Sequence, residues 1–115
     1  MNRWVLLEHK TFANEVHYDF LIENGADCLT WKLFAIPSTD VGMVKIKNQP
    51  NHRLIWLTRL DYELSNDRGH VRRIDHGTYK LLSNDISFKN IIYLLNGEKM
   101  NGKFIIENNL CNLIK

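Results

Sequence analysis

The stretch "EVHYDFLIENG", residues 15–25, decides the fold because it alternates regularly and then turns. Its apolar residues fall on every second position, at Val16, Tyr18, Phe20 and Ile22. The intervening positions hold His17, Asp19, Leu21 and Glu23. Alternate residues of a strand share a face, and Asn-Gly between apolar runs favours a tight hairpin. The stretch therefore predicts a strand and a turn, with an imidazole and a carboxylate on one face.

Similar short runs continue along the chain, separated by Asn-Gly and related turn pairs such as Arg68-Gly69 and His76-Gly77. Residues 87–95 also show helical spacing, but the Asn-Gly pair after them favours a strand. The predicted fold is all-β and mainly antiparallel, a small closed or partly open barrel with short helical or loop insertions. A long loop is predicted from Ile36 to Asn51. The predicted strands are Arg3–Leu7, Val16–Glu23, Thr30–Ala35, Arg53–Leu60, His70–Ile74, Gly77–Leu82, Ile86–Leu95 and Lys103–Glu107.

The composition fits one globular domain covering residues 1–115, with 44% hydrophobic and 24% charged residues. A net charge of +2 is too small to identify a partner, so a bound polyanion would depend on local charge. Cys28 and Cys111 lack CxxC spacing, which favours two free thiols in a reducing cytosol. No signal peptide and no 18-residue apolar run is present, so we expect a cytoplasmic protein without a membrane contact.

His17 and Asp19 are candidate metal ligands, and His9 on the preceding segment is a third. Imidazole and carboxylate together suit manganese, iron or zinc, depending on the geometry. A His-x-Asp pair is also common on the solvent face of an amphipathic strand. The residues alone leave both interpretations open.

Phosphate contacts are predicted from the basic residues further along. His52 stands beside a loop and can act as a phosphate ligand or general acid, or it is only a polar residue that begins a strand. Arg68 and Arg72 carry forked donors suited to phosphate oxygens. Arg72 and Arg73 point to opposite faces of a strand, and we prefer Arg72. Structural roles are expected for the remaining polar and aromatic candidates, which are His70, His76, Asp75 (turn chemistry), Trp4, Trp31 and Trp56.

A family resemblance adds to these patterns. Residues 8–37, "EHKTFANEVHYDFLIENGADCLTWKLFAIP", resemble the opening of the 3′-phosphoesterase domain at the N-terminus of bacterial DNA ligase D. That family typically shows a histidine, then His-Tyr-Asp-Phe-Arg-Leu-Glu, a turn, and Leu-x-Ser-Trp-Ala-x-Pro. Further on, "NHRLIWL" (51–57), "RGHVRRIDHGTY" (68–79) and "LNGEKMNGKFIIE" (95–107) are similar to its third histidine segment, its glycine-containing stretch and its closing strands. The resemblance covers residues 3–107 in order.

The resemblance implies a compact β-barrel that binds Mn²⁺, or another divalent metal, through His9, His17 and Asp19. It also implies that His52 contacts or protonates the scissile phosphate. The family trims DNA 3′ ends, removing a 3′-phosphate or a terminal ribonucleotide during repair. Nucleic-acid 3′ ends are thus the expected partner, and a ligase or polymerase, if one cooperates, is expected on a separate chain.

The sequence departs from the family pattern at several positions. The arginine expected directly after Asp-Phe is Leu21, and Arg68 or Arg72 is a candidate to replace it. The gap between His9 and His17 is two residues longer than usual. Trp56 stands where a tyrosine is expected, and "LSNDRG" replaces an acidic run.

Three functional hypotheses follow. The first is a manganese-dependent phosphoesterase acting on nucleic-acid 3′ ends. The second is a non-catalytic nucleic-acid-binding module that kept the barrel and lost the chemistry. The third is a non-haem iron enzyme, because two histidines and one carboxylate also form that class of site.

Overall fold

The computed structural model describes residues 2–64, 68–85 and 89–115. Its elements are almost entirely strands, with one 3₁₀ helix at Leu54–Leu57. None of the helical residues in these ranges forms a segment long and apolar enough to cross a membrane. The strands are β1 Arg3–Lys10, β2 Val16–Asn24, β3 Asp27–Leu33, β4 Val44–Arg53, β5 Asp61–Glu63, β6 His70–Asn84, β7 Asn90–Gly97, β8 Asn101–Glu107 and β9 Leu110–Ile114.

All strand pairs are antiparallel and belong to one sheet, in the order β1-β2-β3-β4-β9-β8-β7-β6-β5. An additional pairing between β1 and β6 closes the sheet into a barrel-like ring. Short β5 lies beside the beginning of β6. The prediction of an all-β, mainly antiparallel fold is confirmed.

The predicted loop from Ile36 to Asn51 is wrong over its second half, because β4 begins at Val44. Val44 and Ile46 are buried between exposed lysines, while the rest of β4 is polar and hides the strand pattern. The predicted strand Arg53–Leu60 is also wrong. Its residues 54–57 form the 3₁₀ helix, and Leu57 is buried there.

The predicted strands His70–Ile74 and Gly77–Leu82 are parts of one long strand, β6. No turn occurs at His76-Gly77; instead, glycine is needed at 77 because a Cβ there would collide with the carbonyl of Asn96. Strand β9 was not predicted. The strand prediction for Ile86–Leu95 is confirmed from Asn90 onward, and residues 86–88 of that prediction lie outside the described residues.

The β2–β3 hairpin follows the predicted position but uses a different turn. Asn24 pairs with Asp27, so the two central residues are Gly25 and Ala26. Gly25 has φ 69°, and a positive φ at the first central residue alone is the mark of a type II′ turn. This turn fixes which residues of β2 and β3 face each other.

Two apolar clusters lie on opposite faces of the first strands. The main core fills the ring and includes Trp4, Leu6 and Phe20. A second core lies on the outer face, meaning the side of β1–β4 that points away from the main core. It consists of Val5, Leu7, Leu21, Cys28, Leu57 and Val71. The 3₁₀ helix covers this second core, and the functional candidates lie at its border.

Both cysteines are buried free thiols, as the sequence analysis expected. Burial raises the pKa of Cys28 to about 11 and that of Cys111 to about 12. Neither is a thiolate at neutral pH, so neither is an activated nucleophile.

Arg3 and Glu23 form a paired contact between β1 and β2. The Arg3 Nε and Nη2 atoms donate to the two Glu23 carboxylate oxygens at 2.9 and 2.8 Å, and the Arg3 backbone N–H donates to Oε1 at 3.1 Å. Hydrogen bonding to Arg3 lowers the pKa of Glu23 from 4.5 to about 2.

Replacing Glu23 by Gln should lower the free energy of unfolding by about 2 kcal/mol at neutral pH, the usual contribution of a hydrogen-bonded charge. Because the folded-state pKa is depressed, the contribution is complete above about pH 4.5 and disappears as the pH falls towards about 2. Urea unfolding at several pH values measures the difference. Glu107→Gln, at an exposed position, serves as the control. A difference that stays constant down to pH 2 would contradict the assignment.

Candidate metal centre and pocket

The pairing of β1 with β2 brings three predicted ligands together. His9 pairs with His17, and Leu7 pairs with Asp19, so all three donors project from the outer face. His9 Nδ1 is 3.2 Å from His17 Nε2, which is 3.3 Å from Asp19 Oδ1. The ligand atoms all lie within 4.8 Å of one another. We refer to His9, His17 and Asp19 as the donor cluster.

A backbone carbonyl orients His9 within the donor cluster. Its Nε2 lies 3.0 Å from the carbonyl oxygen of Arg68, so Nε2 carries the proton and donates it to that oxygen. In the neutral ring, Nδ1 then presents a lone pair to the other two donors. A carbonyl or carboxylate on the second ring nitrogen is the usual way in which proteins fix a metal-binding imidazole.

The spacing of the donor cluster fits a small divalent cation. Ligands at about 2.1 Å from a metal, in octahedral or tetrahedral geometry, lie about 3 Å apart. The two neighbouring distances, 3.2 and 3.3 Å, match this value. Two nitrogen donors and one carboxylate suit manganese, iron or zinc, so the residues fit the implied metal.

His17 is held in the form that a metal needs. Burial lowers its pKa, and the charges of His9 and Lys32 act in the same direction, while Asp19 opposes them. A neutral imidazole is the ligand form of histidine. The environment of His17 therefore favours cation binding over protonation.

A pocket of about 230 Å³ opens beside the donor cluster. The second core forms its apolar wall, and His52 and Arg68 line it together with His9 and Asp19. His52 Nδ1 lies 3.0 Å from the carbonyl oxygen of Pro50 and donates to it, so Nε2 is the nitrogen that exchanges protons. The complete lining is Leu7, His9, Asp19, His52, Trp56, Leu64, Arg68 and Val71.

A family model for the DNA Ligase D 3′-phosphoesterase domain matches residues 8–108, nearly the whole chain. The chain belongs to this family. No curated protein matches the sequence significantly. The 3′-phosphoesterase family acts on nucleic-acid 3′ ends in DNA repair.

Five of the six predicted site residues meet at this pocket of the 3′-phosphoesterase domain or contact its lining. Arg72 lies elsewhere, because it alternates with Val71 and so occupies the opposite face of β6. There its Nη2 is 3.4 Å from the Glu8 carboxylate. Arg73 shares the face of Leu7, its partner in the register.

The histidines expected to be structural contact carboxylates instead of the pocket. His70 Nε2 is 2.7 Å from Asp61 Oδ1, and His76 Nε2 is 3.5 Å from Glu98 Oε1. The hydrogen bond that His70 donates to the Asp61 carboxylate raises the pKa of His70. Asp75 is buried within β6 and binds a turn distant in sequence, between β7 and β8.

The position of the family arginine is filled by Leu21, which is fully buried in the second core. Trp56, in place of the family tyrosine, lines the pocket and packs edge-on against Tyr62 at 5.4 Å between ring centroids. The Arg59 guanidinium carbon lies 4.7 Å from the Trp56 centroid. Arg68 is thus the arginine of the 3′-phosphoesterase domain that lines the pocket.

Sequence reasoning missed Lys32, which pairs with Asp19 across β2 and β3. A hairpin with Gly25 and Ala26 as central residues places these two side chains opposite each other. An Asn24-Gly25 turn, which the sequence suggests, would instead place Thr30 opposite Asp19, so the sequence signal did not identify Lys32.

Proposed function

We propose that this chain is a manganese-dependent phosphoesterase that removes a phosphate or a terminal ribonucleotide from nucleic-acid 3′ ends. The observation that carries the proposal is the convergence of three metal-type donors beside His52 and Arg68 in one pocket. Family membership supports the reaction class. The donor geometry and the neutral state of His17 support the metal.

Each polar group has a role consistent with its position. His9, His17 and Asp19 would hold the cation, which neutralises phosphate charge and polarises the reacting phosphoryl group when bound. The Arg68 guanidinium is suited to phosphate oxygens, whose charge increases during the reaction. His52, with Nδ1 held by a carbonyl, would give a proton from Nε2 to the leaving oxygen. The apolar wall lowers the local dielectric on one side of the pocket, which strengthens these contacts, while the open side admits the water that the hydrolysis consumes.

Purified protein should release phosphate from a 3′-phosphorylated primer–template in the presence of Mn²⁺, and EDTA should stop the release. A matched primer ending in one ribonucleotide, with a free 3′-hydroxyl, tests the second leaving group. The products are separated by denaturing electrophoresis. Equal amounts of 5′-phosphorylated primer control for contaminating phosphatase, since we expect no release from that end. Absence of release from both 3′ substrates, with Mn²⁺ bound, would overturn the proposal.

A second candidate function is a barrel that binds 3′ ends without turnover. It is favoured because the family arginine is replaced by Leu21, which is buried and cannot contact a phosphate. A hydrogen bond to a charged phosphate contributes about 1.5–3 kcal/mol, and its loss can slow a reaction by about ten- to a hundredfold. In this candidate the oligonucleotide binds in a salt-dependent manner and stays intact with every divalent metal tried.

A further inference from the structure

A row of lysines continues from the donor cluster across the outer face. Asp19 on β2 pairs with Lys32 on β3, and Lys32 pairs with Lys47 on β4. Paired residues in an antiparallel sheet project from the same face. Lys32 and Lys47 therefore extend the face that carries the metal ligands.

The outer face of β4 is basic and polar. Lys45, Lys47 and Gln49 alternate with residues that point inward, and both lysines are exposed. Lys32 is half-buried, with its ammonium 5.3 Å from the ring centroid of Phe34. The ammonium thus lies over the face of the aromatic ring, a cation–π contact that keeps its charge on the outer face.

Lys47 does not line the pocket beside the donor cluster, and it lies two strands away from Asp19. Neighbouring strands are about 5 Å apart, so Lys47 lies about 10 Å across the sheet from Asp19. Inorganic phosphate beside Arg68 and His52 does not reach that far. A chain of phosphates does, and flexible point charges such as lysines suit a backbone of repeated anions.

We propose that Lys32 and Lys47, with Lys45 beside them, bind the sugar-phosphate backbone of the nucleic-acid strand whose 3′ end is processed and lead that end to the donor cluster. We call these three residues the lysine track. The inference rests on the proposed function, because that function places the 3′ end of the nucleic acid at the donor cluster. Because the track offers only ammonium groups, it binds without preference for base sequence.

The test is the salt dependence of binding, measured without metal so that turnover cannot interfere. A 5′-labelled single-stranded DNA with a 3′-hydroxyl is titrated with protein in EDTA over a range of KCl concentrations, by fluorescence anisotropy. Replacing Lys32 and Lys47 by Gln should reduce the slope of log K against log salt by about 1.4, the value for two single-strand phosphate contacts.

The matched control removes the same charge from another part of the sheet. Lys80 on β6 and Lys103 on β8 are exposed, and both pair with Leu94 on β7, which lies between them. The variant with Gln at both positions should keep the wild-type slope. Equal slopes in all three proteins, or equal losses in both variants, would overturn the lysine track.

A separate measurement distinguishes this inference from the proposed function. If the wild type releases phosphate but the Lys32/Lys47 variant keeps the wild-type salt slope, the proposed enzymatic function stands and the lysine track is refuted. If the variant shows a reduced slope but the wild type releases no phosphate, the lysine track stands as a nucleic-acid-binding surface and the enzymatic proposal is refuted.

Discussion

Asparagine at position 19 should reduce Mn²⁺ affinity and Mn²⁺-dependent phosphate release by at least about 100-fold. The side chain keeps its shape but loses the only negative charge among the three donors of the cluster. Two neutral imidazoles remain, and they bind a hard cation weakly without a carboxylate. Isothermal titration with Mn²⁺ measures the affinity, and a phosphate assay measures the rate.

Asp40→Asn is the matched control, because Asp40 is exposed in the loop between β3 and β4. It should match the wild type in both measurements. Thermal unfolding of Asp19→Asn checks that the fold is intact, which we expect because Asp19 lies at the border of the second core. If a folded Asp19→Asn protein binds Mn²⁺ with wild-type affinity, Asp19 is not a metal ligand, and the proposed metal centre is refuted.

The local part of this centre could be predicted from sequence because it depends on alternation alone. His17 and Asp19 are two residues apart on β2, so any strand assignment puts them on one face. His9 was harder to place, since the segment between β1 and β2 sets its register. The direct pairing of His9 with His17 comes from that connection.

The distant part of the pocket depends on contacts that no local pattern encodes. Arg68 reaches it through the closure of the ring between β1 and β6, which also brings its carbonyl to His9. His52 reaches it because β4 pairs with β3 as far as its last residue, Arg53, which places His52 opposite Cys28 of the second core. The preference between Arg72 and Arg73 required knowing which face of β6 meets the second core, and only the packing of Val71 decides this.

The strands that were missed lack a regular alternation of apolar and polar residues along their whole length. Strand β4 has two buried residues at its beginning and then polar residues, so the hydrogen bonds of its neighbour β3 determine its course. Strand β9 follows a turn at Asn108, which has φ 55° without being a glycine. Tertiary pairing overrides weak local preference in both strands.

Replacing Asp75 by Ala should destabilise the fold by about 3–5 kcal/mol, because four backbone N–H groups lose their buried acceptor. Asp75 is 2% exposed, and its two oxygens accept four backbone N–H groups. Oδ1 accepts from His76 and Glu98 at 2.8 and 3.0 Å. Oδ2 accepts from Lys99 and Met100 at 3.0 and 2.7 Å. Alanine leaves these donors without an acceptor in a buried site.

Asparagine at position 75 gives a sharper test than alanine because it preserves volume. Each carboxylate oxygen receives two donors, so either orientation of the amide turns its NH₂ group towards two backbone N–H groups. We therefore expect Asp75→Asn to lower the free energy of unfolding by at least about 2 kcal/mol, although the number of non-hydrogen atoms is unchanged. Urea unfolding measures this loss. Hydrogen exchange should be faster at the amides of Lys99 and Met100, or at those of His76 and Glu98, according to the oxygen that the NH₂ group replaces. The Asp40→Asn protein again provides the reference for a harmless Asp-to-Asn change.

A free energy of unfolding of Asp75→Asn within about 0.5 kcal/mol of the wild-type value would mean that the turn between β7 and β8 is stable without the carboxylate. The structure argues against this outcome, since Gly97, the last residue of β7 before this turn, lies against the Trp4 ring and leaves no room for the turn to shift inward. The carboxylate thus ties the turn to the main core, on the face of β1 opposite to His9. Its loss should loosen the ring where β1 meets β6, the pairing that also delivers Arg68 to the pocket.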